Sequence, residues 1–219
     1  GELDAIAEAG IRAAGGTPSF KGYNGYPASL CTSVNAAVVH GIPRADWELH
    51  EGDIVGLDIG MVYDGAYTDM AFSVGVGAIS EQAQQLLKIT RESLRRGLRE
   101  VRSGAHTGDI GAAIQSYVEA AGFGVVRELV GHGVGNAIHE EPQVPNFGRP
   151  KTGDVLRAGQ TIAVEPMVTA GNYAVRTLSD GWTVVTRDNS LAAQFDQTIA
   201  VTEKGYELLT PLPWEKSSQ

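Results

Sequence analysis

The chain has 219 residues, 42% of them hydrophobic and 20% charged, enough for one large domain with a substantial core. A formal charge of −9 argues against direct nucleic-acid binding through a broad basic surface, and no apolar run reaches the roughly 18 residues that a membrane span needs. The single cysteine, Cys31, cannot close an intrachain disulfide, and the first residues show neither a basic nor an apolar leader, so the expected setting is the cytoplasm.

Glu2 to Ala14 reads as a helix with Leu3, Ile6 and Ile11 on one side and Gly15-Gly16 as its stop. A loop rich in Gly, Tyr and Pro runs through Pro27, followed by short apolar runs at Ala36 to Val39 and Ile54 to Asp58. Met61 to Tyr63 and Tyr67 to Val74 flank Asp64-Gly65, a pair that suits a type I′ hairpin turn because both central positions need positive φ. With those two residues as the turn, position 58 pairs with 71. Asp69 then becomes the diagonal neighbour of Asp58 on the same face, roughly 7 to 8 Å away at Cα. From Ser80 the pattern becomes helical, about 81 to 102 and 108 to 121, with Ser80 and Thr107 as caps and Ser103-Gly104 as the break. Strands are expected at Val125 to Leu129, Gln160 to Glu165, Ala174 to Leu178, Trp182 to Arg187 and Ala192 to Val201.

The chain also repeats itself. Gly52-Asp53-Ile54-Val55-Gly56-Leu57-Asp58 aligns without a gap on Gly159-Gln160-Thr161-Ile162-Ala163-Val164-Glu165, and at the same offset Arg12 to Gly15 faces Glu119 to Gly122. Both halves carry His-x-x-Pro, at His40 to Pro43 and His139 to Pro142. The halves run over about 1–79 and 80–209, each leading helices into antiparallel strands, which predicts an α+β domain with helices on one side of a curved sheet. By that symmetry the first half lacks a counterpart of the helix at 81 to 102, so a preceding helix is expected to be missing.

The duplication delivers acids in equivalent pairs: Asp58 with Glu165 at strand ends, and Asp69 with Asp196 after strand-turn-strand passages. Singly, Asp58 could cap a turn, Asp69 could sit on a rim and His132 could be a satisfied core histidine. Together, carboxylates plus the imidazole of His132 in Gly131-His132-Gly133 are the donors that divalent metals take, oxygen favouring Mn(II) and Mg(II), and imidazole bringing in Zn(II), Co(II) and Fe(II). Two such ions would lower the pKa of a water between them and clamp developing charge. His40 and His139 could steady an oxyanion or orient a substrate amide, or simply stabilise turns.

The passages CTSVNAAVVHGIP, GDIVGLDIG, YTDMAF, GHGVG, HEEPQVPNFG, TIAVEPM and SLAAQFDQTIAVT, in this order and spacing, resemble the signature blocks of type I methionine aminopeptidases, from Glu2 to about Leu209. The resemblance implies a pita-bread (creatinase/aminopeptidase) fold, residues 1–219 as a single catalytic metallopeptidase domain, and two divalent metal ions (Co, Mn, Fe or Zn). Asp58 would hold one metal, Asp69 and Asp196 would bridge both, and His132 and Glu165 would hold the other, Glu165 doubling as general base. His139 would contact the scissile bond and His40 the substrate backbone, while Tyr23, Tyr26, Cys31 and Trp182 would receive the methionine side chain, with Ile138 beside it. The implied partners are the N-termini of nascent polypeptides, and the implied form is a monomer.

Four positions depart from the family pattern. Asp196 and Gln197 stand where the AQFEHT block has Glu and His, Ile138 stands where phenylalanine is common, and Asn24 replaces a common histidine. The shorter Asp196 calls for a closer strand or a weaker second metal. Alternatives are a proline-specific or broader aminopeptidase of the same fold and a catalytically weakened binding protein. A Cys31-His40 hydrolase lacks an orienting third group.

Overall fold

The structure is a computed structural model that describes residues 1–214; the domain end expected at residue 219 lies outside the described residues. The first helix, α1 (Glu2–Ala13), leads through β1 (Thr17–Pro18) and a single 3-10 turn (Tyr23–Gly25) to β2 (Leu30–Val34) and β3 (Ala37–Val39). A long hairpin follows, β4 (Ile54–Tyr63) and β5 (Ala66–Gly75), and then the helix pair α2 (Glu81–Arg99) and α3 (Thr107–Ala120). The remaining strands are β6 (Gly124–Val125), β7 (Gly131–Gly133), β8 (Glu140–Val144), β9 (Thr161–Val164), β10 (Met167–Thr169), β11 (Val175–Thr177), β12 (Val184–Thr186), β13 (Ala192–Gln194), β14 (Asp196–Val201) and β15 (Tyr206–Leu208).

The hairpin turn is as expected: Asp64 and Gly65 both have positive φ, 49° and 80°, and Asp58 pairs with Ala71 while Gly60 pairs with Asp69. The ends of the two copies also share backbone geometry. Gly15 and Gly122 close α1 and α3 with φ of 82° each, and the aligned Gly52 and Gly159 have φ of 100° and 88°.

The main sheet has nine strands in the order β1-β4-β5-β14-β9-β7-β8, with β2 also on β4 and β15 on β14. Two three-stranded sheets, β13-β10-β6 and β11-β12-β3, complete the strand pairing. All pairings among the described residues are antiparallel. Helix α2 forms because Leu86, Ile89, Leu94 and Leu98 recur at helical spacing on one face, all buried against the sheet and α3. Ser80 caps it, its hydroxyl accepting from Ala83 N–H at 3.2 Å. Leu86, Ile110, Ile114, Ile162 and Ile199 of this core are wholly excluded from solvent, and each such side chain contributes about 1.5–3 kcal/mol relative to exposure.

Several expected boundaries shift. Thr107 is the first residue of α3 and not its cap: the Asp109 carboxylate accepts from His106 N–H at 2.8 Å, starting the helix one residue earlier. Freed from capping, the Thr107 hydroxyl accepts from Asp154 N–H instead. Helix α2 stops at Arg99, since the amides of Glu100 and Val101 turn back to Gly97 and Leu98 carbonyls three residues earlier. The strand expected from Ala192 to Val201 is broken at Phe195, whose N–H bonds Pro166 O, so β13 and β14 belong to different sheets. Of the run expected at Val125 to Leu129, Val125 alone lies in a strand, and Val126 N–H adds one bond to Met167 O at 3.0 Å.

Candidate metal centre

Five adjacent strands of the main sheet each bring one donor to one face. Asp58 is on β4, Asp69 on β5, Asp196 on β14, Glu165 directly follows β9, and His132 is on β7. The registers fix the shared face: Ala71 pairs with both Asp58 and Asp196, Thr198 with Ala163, and Ala163 with His132, two residues from Glu165. Because side chains alternate along a strand, all five point the same way. Glycines flank His132 for a packing reason. A Cβ at Gly131 or Gly133 would strike the carbonyl oxygens of Ala163 or Glu141, on the chain running to either side.

His132 has its Nδ1 at 2.9 Å from Gly133 O. A carbonyl only accepts, so Nδ1 carries the proton and Nε2 presents a lone pair. That lone pair faces Glu165 Oε1 at 3.4 Å and Asp69 Oδ2 at 3.7 Å. Burial holds the imidazole neutral, with its pKa brought down to about 4. Burial likewise pushes Asp69 up to about 7, and drives Asp58, Glu165 and Asp196 well above the carboxylate range, helped by their mutual repulsion. Among the described residues, no Lys or Arg lines the cavity to offset them.

Among the described residues, no group of three or more His, Cys, Asp or Glu side chains stands ready as a coordination shell. The fit to a cation rests on unmet bonding capacity. Asp58 Oδ1 and Asp196 Oδ1 are buried with no hydrogen-bond partner, and the His132 lone pair meets carboxylate oxygens. A proton or a cation satisfies such a set, and the mixture of carboxylate and imidazole suits borderline divalent metals.

The acids floor a cavity of about 300 Å³ that Tyr23, Tyr26, Cys31, His40, His139 and Trp182 also line. Tyr26 packs edge-on to Trp182 at 5.0 Å and bonds Gly41 O at 3.0 Å. Trp182 is held in turn by Asp180, whose carboxylate accepts from Trp182 N–H and Thr183 N–H at 2.9 Å each. The His139 ring lies edge-to-face with His132 at 4.4 Å, and the Tyr23 hydroxyl is 2.9 Å from its Nδ1. His40 adopts a left-handed φ of 57° and faces Trp182 across the pocket. Burial lowers the pKa of both histidines, keeping them neutral.

Ile138 is the exception among the expected pocket residues. It does not line the cavity but packs behind its wall with Phe20, Tyr26, Ala28 and Cys31. Phe20, Val39, Met167 and Gln194 line the cavity without having been singled out from the sequence. Gln194 is the telling omission, since its amide Nε2 donates to Glu165 Oε2 at 3.1 Å. Its position two residues before Asp196 on the same strand run was the available signal.

The profile of metallopeptidase family M24 matches residues 1–203. A methionine aminopeptidase from Clostridium perfringens is 52% identical over 95% of this chain and 84% of its own length. The crystal structure of methionine aminopeptidase from Rickettsia prowazekii superposes with a TM-score of 0.94 at 43% identity, covering 96% of this chain and 85% of that one. A prolidase from Pyrococcus furiosus shares the fold alone, with a TM-score of 0.75 at 21% identity over 98% of this chain and 56% of that one. The fold is therefore the pita-bread fold, and the chain belongs to the methionine aminopeptidases of metallopeptidase family M24.

Proposed function

We propose that this chain is a single catalytic domain, doubled from halves at about 1–79 and 80–209, that removes the initiator methionine from the N-termini of nascent polypeptides. The carrying observation is the one-faced row of four acids and His132 from five neighbouring strands, opening into an aromatic-walled cavity. Asp58, Asp69, His132, Glu165 and Asp196 would hold two divalent ions, drawn from Co, Mn, Fe or Zn. Such ions polarise a carbonyl and make water a nucleophile near neutral pH.

The chain's own groups do the rest. The slot between Tyr23, Tyr26, Cys31 and Trp182 takes the unbranched thioether side chain, which packs well on aromatic edges. That grip sets the first peptide bond over the acids and beneath His139. Glu165, held by the Gln194 amide at the edge of the cavity, would take a proton from the attacking water at its carboxylate and pass it to the leaving amine. His139 supports the scissile carbonyl or the leaving amide, with Tyr23 steadying its ring from Nδ1, and His40 contacts the backbone beyond. We place the activity in the cytoplasm and in a monomer. Among the described residues no helix is long and apolar enough to cross a membrane.

The test is release of free methionine from a Met-Gly-type peptide. Activity should vanish on chelation and return with Mn(II), Co(II) or Fe(II). Preference for X-Pro dipeptides would favour the prolidase-like reading, and absence of any hydrolysis after add-back would favour a binding protein.

A further inference from the structure

In the main sheet the two halves meet where β5 pairs with β14, a ladder with two registered pairs, Ala71 with Asp196 and Met70 with Gln197. At each end of this short seam a side-chain hydroxyl takes over from the backbone ladder. On one side the Thr198 hydroxyl of β14 accepts from Asp69 N–H at 3.0 Å and donates to Asp69 O at 2.7 Å. On the other, the Ser73 hydroxyl of β5 accepts from Gln194 N–H at 3.0 Å and donates to Gln194 O at 2.9 Å. Each half thus clamps one residue of the other.

What is clamped matters. Asp69 is one of the five donors, and Gln194 is the residue whose amide bonds Glu165 at 3.1 Å. Both hydroxyls are almost fully excluded from water, with Thr198 at 1% and Ser73 at 3% exposure. No solvent competes for their bonds there, and each residue's N–H and C=O are fixed together by one oxygen. A second threonine backs the first clamp, Thr210 accepting from Thr198 N–H at 2.8 Å.

We propose that Thr198 and Ser73 are positioning residues of the metal centre, setting Asp69 from one side of the seam and Glu165, through Gln194, from the other. The two acids come from different halves, and within the main sheet the halves pair at this seam, which therefore sets the separation of the two acids. The hydroxyls span it at the points where the ladder has ended. This assignment rests on the reading of the five donors given above.

The test compares wild type with Thr198→Val, Thr198→Ser and Ser73→Ala, measuring Mn(II) affinity by calorimetry after chelation, kcat and KM on a Met-Gly-type peptide, and thermal unfolding. Thr198→Val and Ser73→Ala should bind Mn(II) on the order of ten- to a hundredfold more weakly, with kcat falling and KM little moved. Thr198→Ser, which keeps the hydroxyl, should restore both. Folded hydroxyl-free variants with wild-type Mn(II) affinity and kcat, and only a lower unfolding temperature, would overturn the proposal. Ser73→Ala deletes one oxygen without changing shape, so it decides the matter even where Thr198→Val does not fold. Failure of the wild type itself to bind Mn(II) would overturn the metal-centre reading and this proposal with it, whereas normal binding in all variants overturns this one alone.

Discussion

Asp58 and Asp196 come from different halves of the chain and are cross-strand neighbours of the same residue, Ala71, one on each side of β5. Ala71 is wholly buried, and its methyl group is what separates the two carboxylates along the sheet. A larger side chain there takes the space into which both acids point. Ala71→Val is expected to lose Mn(II) binding and hydrolysis together, while overpacking costs about 1–3 kcal/mol of stability. Calorimetry with Mn(II) beside thermal unfolding checks it, and a folded Ala71→Val with normal affinity contradicts it.

Asp196 reaches less far than the glutamate that the family pattern places there. Asp196→Glu is therefore expected to tighten the weaker of two Mn(II) binding events in a calorimetric titration. Unchanged or weaker binding would count against Asp196 as a bridge.

The contact of the Tyr23 hydroxyl with His139 Nδ1 spans two loops that are far apart in sequence. Tyr23→Phe keeps the ring and deletes that contact. With a hydrogen bond worth about 1 kcal/mol, kcat should fall roughly fivefold while the unfolding temperature stays put, since Tyr23 is 36% exposed. Steady-state kinetics on a methionyl peptide measure it; an unchanged kcat would leave His139 without this partner's help.

Removing cations exposes the electrostatics of the acids. A carboxyl whose folded pKa is raised, as Asp69 is to about 7, stabilises the fold fully below its unfolded value, and that contribution is lost as pH rises through the folded value. Asp58, Glu165 and Asp196 are raised in the same direction. His132 has the opposite sign, its folded pKa being lowered to about 4 from 6.5, but above pH 6.5 it is mostly neutral in both states. Near pH 7, of these groups only the acids act. The unfolding temperature of the chelated protein should therefore fall as pH rises through about 7, and Mn(II) should abolish the fall. A flat or rising profile after chelation would show that the acids are not forced together.

Much of this architecture is legible in the residues. Asp64-Gly65 admits one turn type, so the pairing of 58 with 71 follows from counting along the hairpin, and the aligned copies point to Glu165 as the partner of Asp58. The short strands were not legible. Gly131–Gly133 has too few side chains to carry alternation, and β7 exists because its glycines fit against Ala163 and Glu141 carbonyls. The break at Phe195 was hidden for another reason: the run from Ala192 to Val201 holds no Gly or Pro, so nothing local signals that the Phe195 N–H will turn to Pro166. Ile138 shows the limit of carrying a family position over, since it lies in a bend beside His139 and packs into the wall behind the cavity. The hydroxyls of Ser73 and Thr198 became visible only once the two halves were in contact.

The most direct measurement is anomalous X-ray scattering from crystals of this chain soaked in Mn(II) after chelation. Two peaks enclosed by Asp58, Asp69, His132, Glu165 and Asp196 are the expected result. Retained methionine release with no peak among these five side chains, or with Mn(II) elsewhere on the molecule, would contradict the assignment.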